Sequence, residues 1–257
     1  MGETMSIKTA TFSGVATIEI ARAEKKNALT LAMYTAMADA LSAAGADRAV
    51  RAVLIAGQPG IFTSGNDLED FMQRPPAGED SPVYRFMHSL LTCEKPVLAA
   101  VTGAAVGIGA TLLLHCDLVY VSDAARIAMP FVGLGLVPEF ASTLLLPRLM
   151  GSVRAAEKLL LGEPFTGAEA VEIGLANAVL PPEEVLVHTR RMAERFNALP
   201  PGAVRDTKRL MRAASVPGIE RAMQAEAAVF SERLRSPEAR EAFQAFFQKR
   251  KPDFSQF

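Results

Sequence analysis

Two glycine-marked turns, each reached from a short apolar run, constrain this chain more than any other feature. The first, residues 62–68 (FTSGNDL), comes after the apolar run 53–56, and the second, residues 101–110 (VTGAAVGIGA), closes the apolar run 97–101. Apolar runs punctuated in this way indicate buried strands that lead into helices. Glycine lets a ligand approach the main chain closely, and a helix start leaves N–H groups without internal partners. Two such turns side by side would aim two N–H donors at one point, an arrangement called an oxyanion hole.

The rest of the chain alternates strand and helix patterns. Residues 7–20 predict two short strands broken at Ser13 and Gly14. Thr30 is a predicted N-cap of a helix with an apolar face that ends at Gly45. Strand, helix and strand then recur with short Gly and Pro breaks, and from about residue 197 the pattern is helical. This order predicts an α/β fold of stacked parallel-strand units with helices outside.

The composition limits the cellular compartment and the binding partners that we expect for this protein. The chain has 257 residues, 50% of them hydrophobic, which predicts one main domain with an appendage. A net charge of −1 gives no global attraction to nucleic acid or to an anionic membrane. Cys93 and Cys116 lie far apart with no metal-ligand spacing, which predicts a reduced intracellular protein without a metal site. No signal peptide, membrane-spanning run or peroxisomal carboxy-terminal address is apparent, so we expect a cytoplasmic protein.

Several separated blocks carry a family resemblance. The two glycine turns, Cys116-Asp117, residues 130–139 (PFVGLGLVPE), residues 22–29 (RAEKKNAL) and the carboxy-terminal Lys-Arg-Lys resemble the crotonase, or enoyl-CoA hydratase/isomerase, superfamily over nearly the whole chain. The resemblance implies a crotonase-like spiral of ββα units with an acyl-CoA site over residues 1–196. It also implies a helical region over residues 197–257 for oligomerisation, as a homotrimer or a dimer of trimers. Within the superfamily, the chain is most similar to peroxisomal-type Δ3,Δ2-enoyl-CoA isomerases.

The resemblance singles out one glutamate. Thr111 and Phe131 stand where hydratases of the superfamily carry their two catalytic carboxylates, whereas Glu139 stands where these isomerases keep a single catalytic acid. Apolar residues on both sides of Glu139 would raise the pKa of its carboxyl towards a range useful for moving a proton. The plainer alternative is that Glu139 caps a helix beginning near Ser142.

Further site residues follow from the same resemblance. The oxyanion donors would be the backbone N–H groups of Asn66 and Ile108, although isoleucine is poorly suited to a positive φ. Coenzyme A is here part of the substrate, so no separate cofactor is expected. Its predicted contacts are Lys25, Thr63, Ser64, Gly65, Asn66, Asp67, Leu68, Phe246 and Lys249.

Other interpretations stay open at this point. The enzyme could be an enoyl-CoA hydratase or another thioester-enolate enzyme, because the oxyanion hole alone does not fix the reaction. It could also be a non-catalytic acyl-CoA or RNA-binding protein. For RNA, the candidate surface is a basic stripe after residue 200, which is otherwise a solvated helix face. The stripe comprises Arg205, Lys208, Arg209 and Arg212.

Three further features have plain alternatives. Asp67 could merely hold its turn, and the three histidines are expected to pack or to lie at the surface. Residues 73–81 could form a flap over an acyl pocket or a solvated loop.

Overall fold

A computed structural model describes residues 6–74 and 80–257 of the chain. The predicted flap over residues 73–81 lies largely outside this part. The strands are β1 Ile7–Phe12, β2 Val15–Ile20, β3 Ala52–Ala56, β4 Ile61–Thr63, β5 Val97–Val101, β6 Ala104–Val106, β7 Leu118–Ser122, β8 Arg126–Ala128, β9 Phe165–Thr166 and β10 Ala178–Leu180. The helices are α1 Leu31–Ala46, α2 Leu68–Gln73, α3 Pro82–Leu91, α4 Ile108–Thr111, α5 Ser142–Met150, α6 Ser152–Leu160, α7 Gly167–Glu172, α8 Pro182–Glu194, α9 Pro201–Ala213, α10 Val216–Arg233 and α11 Pro237–Phe247.

The strands form two sheets, and the chain passes between them in each repeat. The larger sheet has the order β1-β2-β3-β5-β7-β10, and the smaller has the order β4-β6-β8-β9. Strands β3, β5 and β7 pair in parallel in the first sheet, while the strands that follow them, β4, β6 and β8, pair in parallel in the second. The predicted α/β spiral of ββα units is therefore confirmed. Every residue of β3 and β5 is buried, as expected for parallel strands covered on both faces.

Helix α1 begins as predicted and ends later than predicted. The side chain of Thr30 accepts a hydrogen bond from the N–H of Met33 at 3.3 Å, which confirms the N-cap. The helix nevertheless continues through Gly45 to Ala46, so the predicted stop at Gly45 is wrong. A glycine costs about 1 kcal/mol in a helix, and the buried face of α1, with Met33, Met37 and Leu41 in the core, outweighs that cost.

Helix α9 is fastened to the core by two of its basic residues. The ammonium group of Lys208 donates to the carboxylate of Asp117 and to the backbone oxygen of Lys95, both at 2.6 Å. Arg212 donates to the other oxygen of Asp117 at 2.9 Å. The interpretation of this stripe as a solvated face is therefore wrong for Lys208 and Arg212, because Asp117 draws both side chains inwards.

Helix α11 docks against the short turn of helix at Val132–Leu134 through a glycine. Gly135 has a φ of +69°, and a Cβ atom there would lie only 2.6 Å from the backbone nitrogen of Ala239 in α11. Arg233 donates to the backbone oxygen of Gly135 at 3.1 Å. The glycine thus allows α11 to lie close to the residues that precede Glu139.

We expect Gly135→Ala to destabilise this contact. The added methyl group would meet backbone rather than a movable side chain, so we expect a loss of about 1–3 kcal/mol in the free energy of unfolding, measured by urea denaturation. Gly133→Ala is the matched control, because no atom lies within 4 Å of the added Cβ position at Gly133. Equal stability of the two variants would show that α11 does not depend on this close approach.

Within the described residues, no helix is long and apolar enough to cross a membrane. Helices α9 to α11 begin at Pro201 and make up most of the chain after it. The division at residue 196 and the oligomerisation role of the last region stay predictions.

Candidate active site

The two glycine turns lie side by side at the ends of β4 and β6. These strands pair in parallel, with Thr63 opposite Ala105. Gly65 has a φ of +94° and Gly107 a φ of +58°. A Cβ atom on Gly107 would lie 3.9 Å from the Cα atom of Gly65, so the two backbones are nearly in contact. The two turns are far apart in sequence, and the structure brings them side by side, as an oxyanion hole requires.

The residue after each glycine has a backbone N–H group that no described group of the protein accepts. Among the described residues, neither Asn66 nor Ile108 donates its backbone N–H to another group of the protein. Ile108 is the first residue of α4, and the positive φ falls on Gly107 instead. The conflict expected between isoleucine and a positive φ is therefore absent, because the glycine takes the unusual conformation.

The first turn is held from below by Asn27, to which sequence analysis gave no role, and by Thr63. Asn27 is fully buried. Its side-chain amide donates to the backbone oxygen of Phe62 at 3.1 Å, and its backbone oxygen accepts from the hydroxyl of Thr63 at 2.7 Å. The same hydroxyl accepts from the N–H of Gly65 at 3.1 Å. Thr63, predicted to contact coenzyme A, is thus fully buried beneath the turn and does not line the cavity beside it.

Asp67 holds its turn by accepting hydrogen bonds from neighbouring backbone N–H groups, as the plainer interpretation proposed. Its carboxylate accepts from the N–H groups of Glu69 and Asp70 at 3.1 and 3.2 Å, and it receives Arg22 at 2.7 Å. Burial raises the pKa of Asp67, but the hydrogen bond and charge of Arg22 and the two backbone donors outweigh burial, so that the pKa is lowered. Asp67 therefore remains ionised and anchors the start of α2.

A cavity of about 780 Å³ opens beside the two turns. Of the residues predicted to contact coenzyme A, it is lined by Lys25, Ser64, Gly65, Asn66, Asp67, Leu68 and Phe246. Ile108 and Lys249 are outside the lining: the side chain of Ile108 is fully buried, and Lys249 is an exposed residue. The lining also includes apolar residues that sequence analysis did not assign to the site, among them Phe131, Leu134, Phe230 and Phe247.

Glu139 lies at a second, narrower cavity of about 60 Å³, lined by Phe71, Met87, Met223 and Phe230 among others. Phe230 borders both cavities. Only 7% of Glu139 is exposed, and its Oε1 atom has no hydrogen-bond partner among the residues that the structure describes. Burial, and then the negative charge of Glu226, raise the pKa of Glu139 to about 8. This carboxyl group can therefore both take up and release a proton near neutral pH.

The alternative that Glu139 caps the following helix is wrong. The first N–H groups of α5 are capped by Glu226 from α10, which accepts from Ala141 at 2.6 Å and from Thr143 at 3.0 Å. Glu139 contributes only its backbone oxygen, which accepts from the hydroxyl of Ser142 at 2.7 Å. The carboxylate of Glu226 occupies the capping position, so the side chain of Glu139 is left free for the cavity.

The turn after Glu139 has an unusual backbone and a supporting histidine. Phe140 and Ala141 have φ values of +59° and +55°, a conformation that residues with side chains rarely adopt. His115 stacks on Phe140 with the ring centroids 3.6 Å apart, and its Nε2 atom lies 2.8 Å from the backbone oxygen of Phe140. Burial lowers the pKa of His115 to about 3, so its imidazole is neutral. The expected packing role is observed, whereas no local sequence pattern indicated that His115 supports this turn.

Tyr34 connects the oxyanion turn to the buried glutamate. It is fully buried in α1, and its hydroxyl donates to the side-chain oxygen of Asn66. Burial, and then the charge of Glu139, raise the pKa of Tyr34, so Tyr34 is within electrostatic reach of Glu139. One side chain thus lies near both parts of the site.

Within residues 6–74 and 80–257, no three His, Cys, Asp or Glu side chains are grouped so that they could hold a metal ion. The chemistry that the described residues themselves offer is two backbone N–H donors and one buried acid. Such a site can stabilise an oxyanion that forms on a carbonyl group and can move a proton beside it.

A two-layer ββα spiral, with paired turns whose N–H groups find no acceptor among the described residues, is the architecture of the crotonase class of acyl-CoA enzymes. The model of the family described as Enoyl-CoA hydratase/isomerase matches residues 10–257, and the chain belongs to this family.

Solved structures and curated relatives agree with this assignment. The chain is 54% identical to Pseudomonas aeruginosa OdaA, with a TM-score of 0.93 over 95% of this chain and 99% of that one. It is 35% identical to human enoyl-CoA delta isomerase 2 over 77% of this chain, although it spans only 52% of that protein's length. It is 34% identical to the crotonyl-CoA hydratase of Syntrophomonas wolfei over 93% of this chain and 94% of the relative. Hydratases and isomerases are thus both among its relatives.

Proposed function

We propose that this protein is a Δ3,Δ2-enoyl-CoA isomerase with Glu139 as its only acid and base. The observation that carries the proposal is the buried carboxyl group of Glu139, whose Oε1 atom has no hydrogen-bond partner among the described residues and whose charge acts on Tyr34, a hydrogen-bond donor to Asn66 of the oxyanion turn. Thr111 and Phe131, the residues at the positions of the hydratase carboxylates, cannot replace those groups as acids. One group that takes up and returns the same proton is sufficient for a double-bond shift.

The proposed reaction has two steps. The thioester oxygen accepts from the N–H groups of Asn66 and Ile108, and the Glu139 carboxylate removes a proton from C2 of the 3-enoyl chain. The electron pair of the broken C–H bond forms an enolate conjugated with the C3–C4 double bond. Glu139 then delivers the proton to C4, which leaves a double bond between C2 and C3 and restores the carboxylate. Each oxyanion donor is worth about 2.7–4 kcal/mol of transition-state stabilisation.

Binding of the coenzyme A portion is assigned to the larger cavity. Lys25 and Lys26 supply positive charge at its rim for phosphate groups, and Phe246 and Phe247 supply apolar surface for the pantetheine chain. Lys249 lies outside this lining, and a contact with coenzyme A bound to a neighbouring subunit remains part of the proposal. No metal or redox cofactor enters the proposed mechanism, because the proton transfer requires neither.

A hydratase must in addition hold and activate a water molecule. Glu226 is the other carboxylate at the narrow cavity, but its oxygens already accept from Ala141 and Thr143. It is therefore poorly placed to activate water. This arrangement favours isomerisation over hydration.

A cytoplasmic homotrimer or dimer of trimers is the proposed form of the protein. Large apolar side chains are exposed on this single chain, including Val153 at 86%, Leu161 at 75% and Met211 at 79%. Such surface is usually covered in an assembly. An RNA-binding role is disfavoured because Lys208 and Arg212 of the basic stripe are engaged with Asp117.

A paired assay tests the proposed function. Purified protein is given a 3-enoyl-CoA and, separately, a 2-enoyl-CoA, and the products are separated by chromatography. We expect conversion of the first substrate to the 2-enoyl thioester and little hydration of the second. Hydration of the 2-enoyl substrate without isomerisation of the 3-enoyl substrate would overturn the isomerase proposal.

A further inference from the structure

The narrow cavity brings together two buried carboxyl groups from distant parts of the chain. Glu139 precedes α5, whereas Glu226 lies on α10, and each is 7% exposed. Both line the cavity of about 60 Å³. No sequence pattern connects the two glutamates, because helices α5 to α9 lie between them in the chain.

The two carboxyl groups differ in their hydrogen-bond partners. Glu226 accepts from the N–H groups of Ala141 and Thr143, and also from the Thr143 hydroxyl at 2.5 Å. Glu139, by contrast, has an oxygen that no described group contacts with a hydrogen bond. Hydrogen bonds from donors favour the ionised form of a carboxyl group. Negative charge is therefore favoured on Glu226 and disfavoured on Glu139.

We propose that Glu226 is a positioning residue for Glu139: its carboxylate, fixed at the start of α5, disfavours ionisation of Glu139 in the common cavity and holds the turn that carries it. This inference rests on the proposed function for its catalytic meaning. Two carboxyl groups in one apolar cavity do not readily both ionise. Glu226, with three hydrogen-bond donors, therefore ionises first, and Glu139, whose Oε1 atom no described group contacts with a hydrogen bond, ionises at higher pH.

The other groups around Glu139 do not supply this effect. The hydroxyl of Tyr34 on α1 donates a hydrogen bond to Asn66. It stays neutral because burial, and then the charge of Glu139, raise the pKa of Tyr34. His115, stacked beneath Phe140, is neutral. On the side of α2, α3 and α10, the lining consists of apolar and hydroxyl-bearing side chains apart from Glu226 itself. The Glu226 carboxylate is therefore the one charged group, among the described residues that line this cavity, that can act on Glu139.

The titration behaviour of the pair agrees with this geometry. Burial first, and then the charge of Glu226, raise the pKa of Glu139 to about 8. The pKa of Glu226 is also raised, because burial outweighs the hydrogen bonds from Thr143 and Ala141, which act in the opposite direction and limit the shift. Removal of the Glu226 charge should therefore make Glu139 easier to ionise.

The test is an infrared pH titration of the full-length protein without substrate. The C=O stretching band of protonated Glu139 is assigned by its loss in Glu139→Gln, and its titration midpoint is compared in Glu226→Gln. We expect the midpoint to move to lower pH in Glu226→Gln, together with the acidic limb of the kcat/KM profile. An unchanged or higher midpoint would overturn the proposal.

Two further variants separate charge from structure. Ser142→Ala removes a hydroxyl that donates to the backbone of Glu139 and touches neither carboxylate, so we expect no shift of the midpoint. Thr143→Val removes one donor from Glu226, and we expect a smaller shift to lower pH. If Glu226→Gln fails to fold, Thr143→Val alone decides the test. An unchanged midpoint in Thr143→Val would then contradict the proposal. Because the titration needs no turnover, its outcome is independent of the isomerase assay.

Discussion

Replacement of Glu139 by glutamine is expected to lower kcat by about 10²–10⁴-fold, the usual contribution of general acid and base catalysis. Glutamine has nearly the same shape, but it can neither accept the C2 proton nor return one at C4. The two backbone donors and the larger cavity remain, so we expect acyl-CoA binding to be retained. The measurements are steady-state kinetics with a 3-enoyl-CoA and calorimetric titration with a saturated acyl-CoA.

Glu172→Gln provides the matched control for this substitution. Glu172 is an exposed residue that pairs with Arg154 at 3.1 Å, and an exposed pair of this kind contributes little. We expect wild-type turnover and binding from the control. Full activity of Glu139→Gln would exclude Glu139 as the proton carrier, and a loss of acyl-CoA binding equal to the loss of turnover would indicate a binding role instead.

The same substitution is expected to stabilise the protein at alkaline pH. The pKa of Glu139 is raised to about 8 in the folded state, from an unfolded value of about 4.3. Between these values the folded protein holds a proton that the unfolded chain has released, so the stability of the wild type falls as pH rises. A shift of this size corresponds to roughly 4–5 kcal/mol once pH exceeds the folded pKa. Glutamine does not titrate and avoids this loss.

Urea unfolding of the wild type and Glu139→Gln at about pH 5 and about pH 9 measures this effect. We expect the two proteins to be similar in free energy of unfolding at the lower pH and the variant to be more stable at the higher. Other groups that titrate in this range act on both proteins and cancel in the comparison. A parallel decline of the two proteins with pH would show that Glu139 ionises as readily when folded as when unfolded. Glu139 would thus contribute to catalysis and, at alkaline pH, lower the stability of the folded protein.

Local sequence patterns were sufficient for much of the fold. The continuous apolar runs of β3 and β5 predicted buried parallel strands, and Thr30 before an apolar periodic stretch predicted a helix start. The glycines at 65 and 107 predicted two matched turns because few other residues allow such a close approach of two backbones. Each of these signals lies within a few residues of the structure that it specifies.

The electrostatics of the site could not be predicted in this way. The cap on α5 comes from Glu226, 85 residues after Ala141 in sequence, so the local pattern could offer only Glu139 as an alternative cap. The contact of Tyr34 with Asn66 likewise joins two segments that only the folded chain brings together. Local patterns identify the residues with the right chemistry, whereas long-range packing decides which of them remain without a partner.

The central claim, that one buried glutamate carries a proton from C2 to C4, is tested most directly by isotope transfer. A 3-enoyl-CoA deuterated at C2 is converted in ordinary water, and the C4 position of the 2-enoyl product is examined by mass spectrometry and NMR at low conversion. Because Glu139 is buried and no group in the described part of the chain makes a hydrogen bond to its Oε1 atom, we predict that a measurable fraction of the deuterium is found at C4. A 2-enoyl product that carries no deuterium at C4 even at the earliest times, or a 3-hydroxyacyl product in its place, would contradict the account.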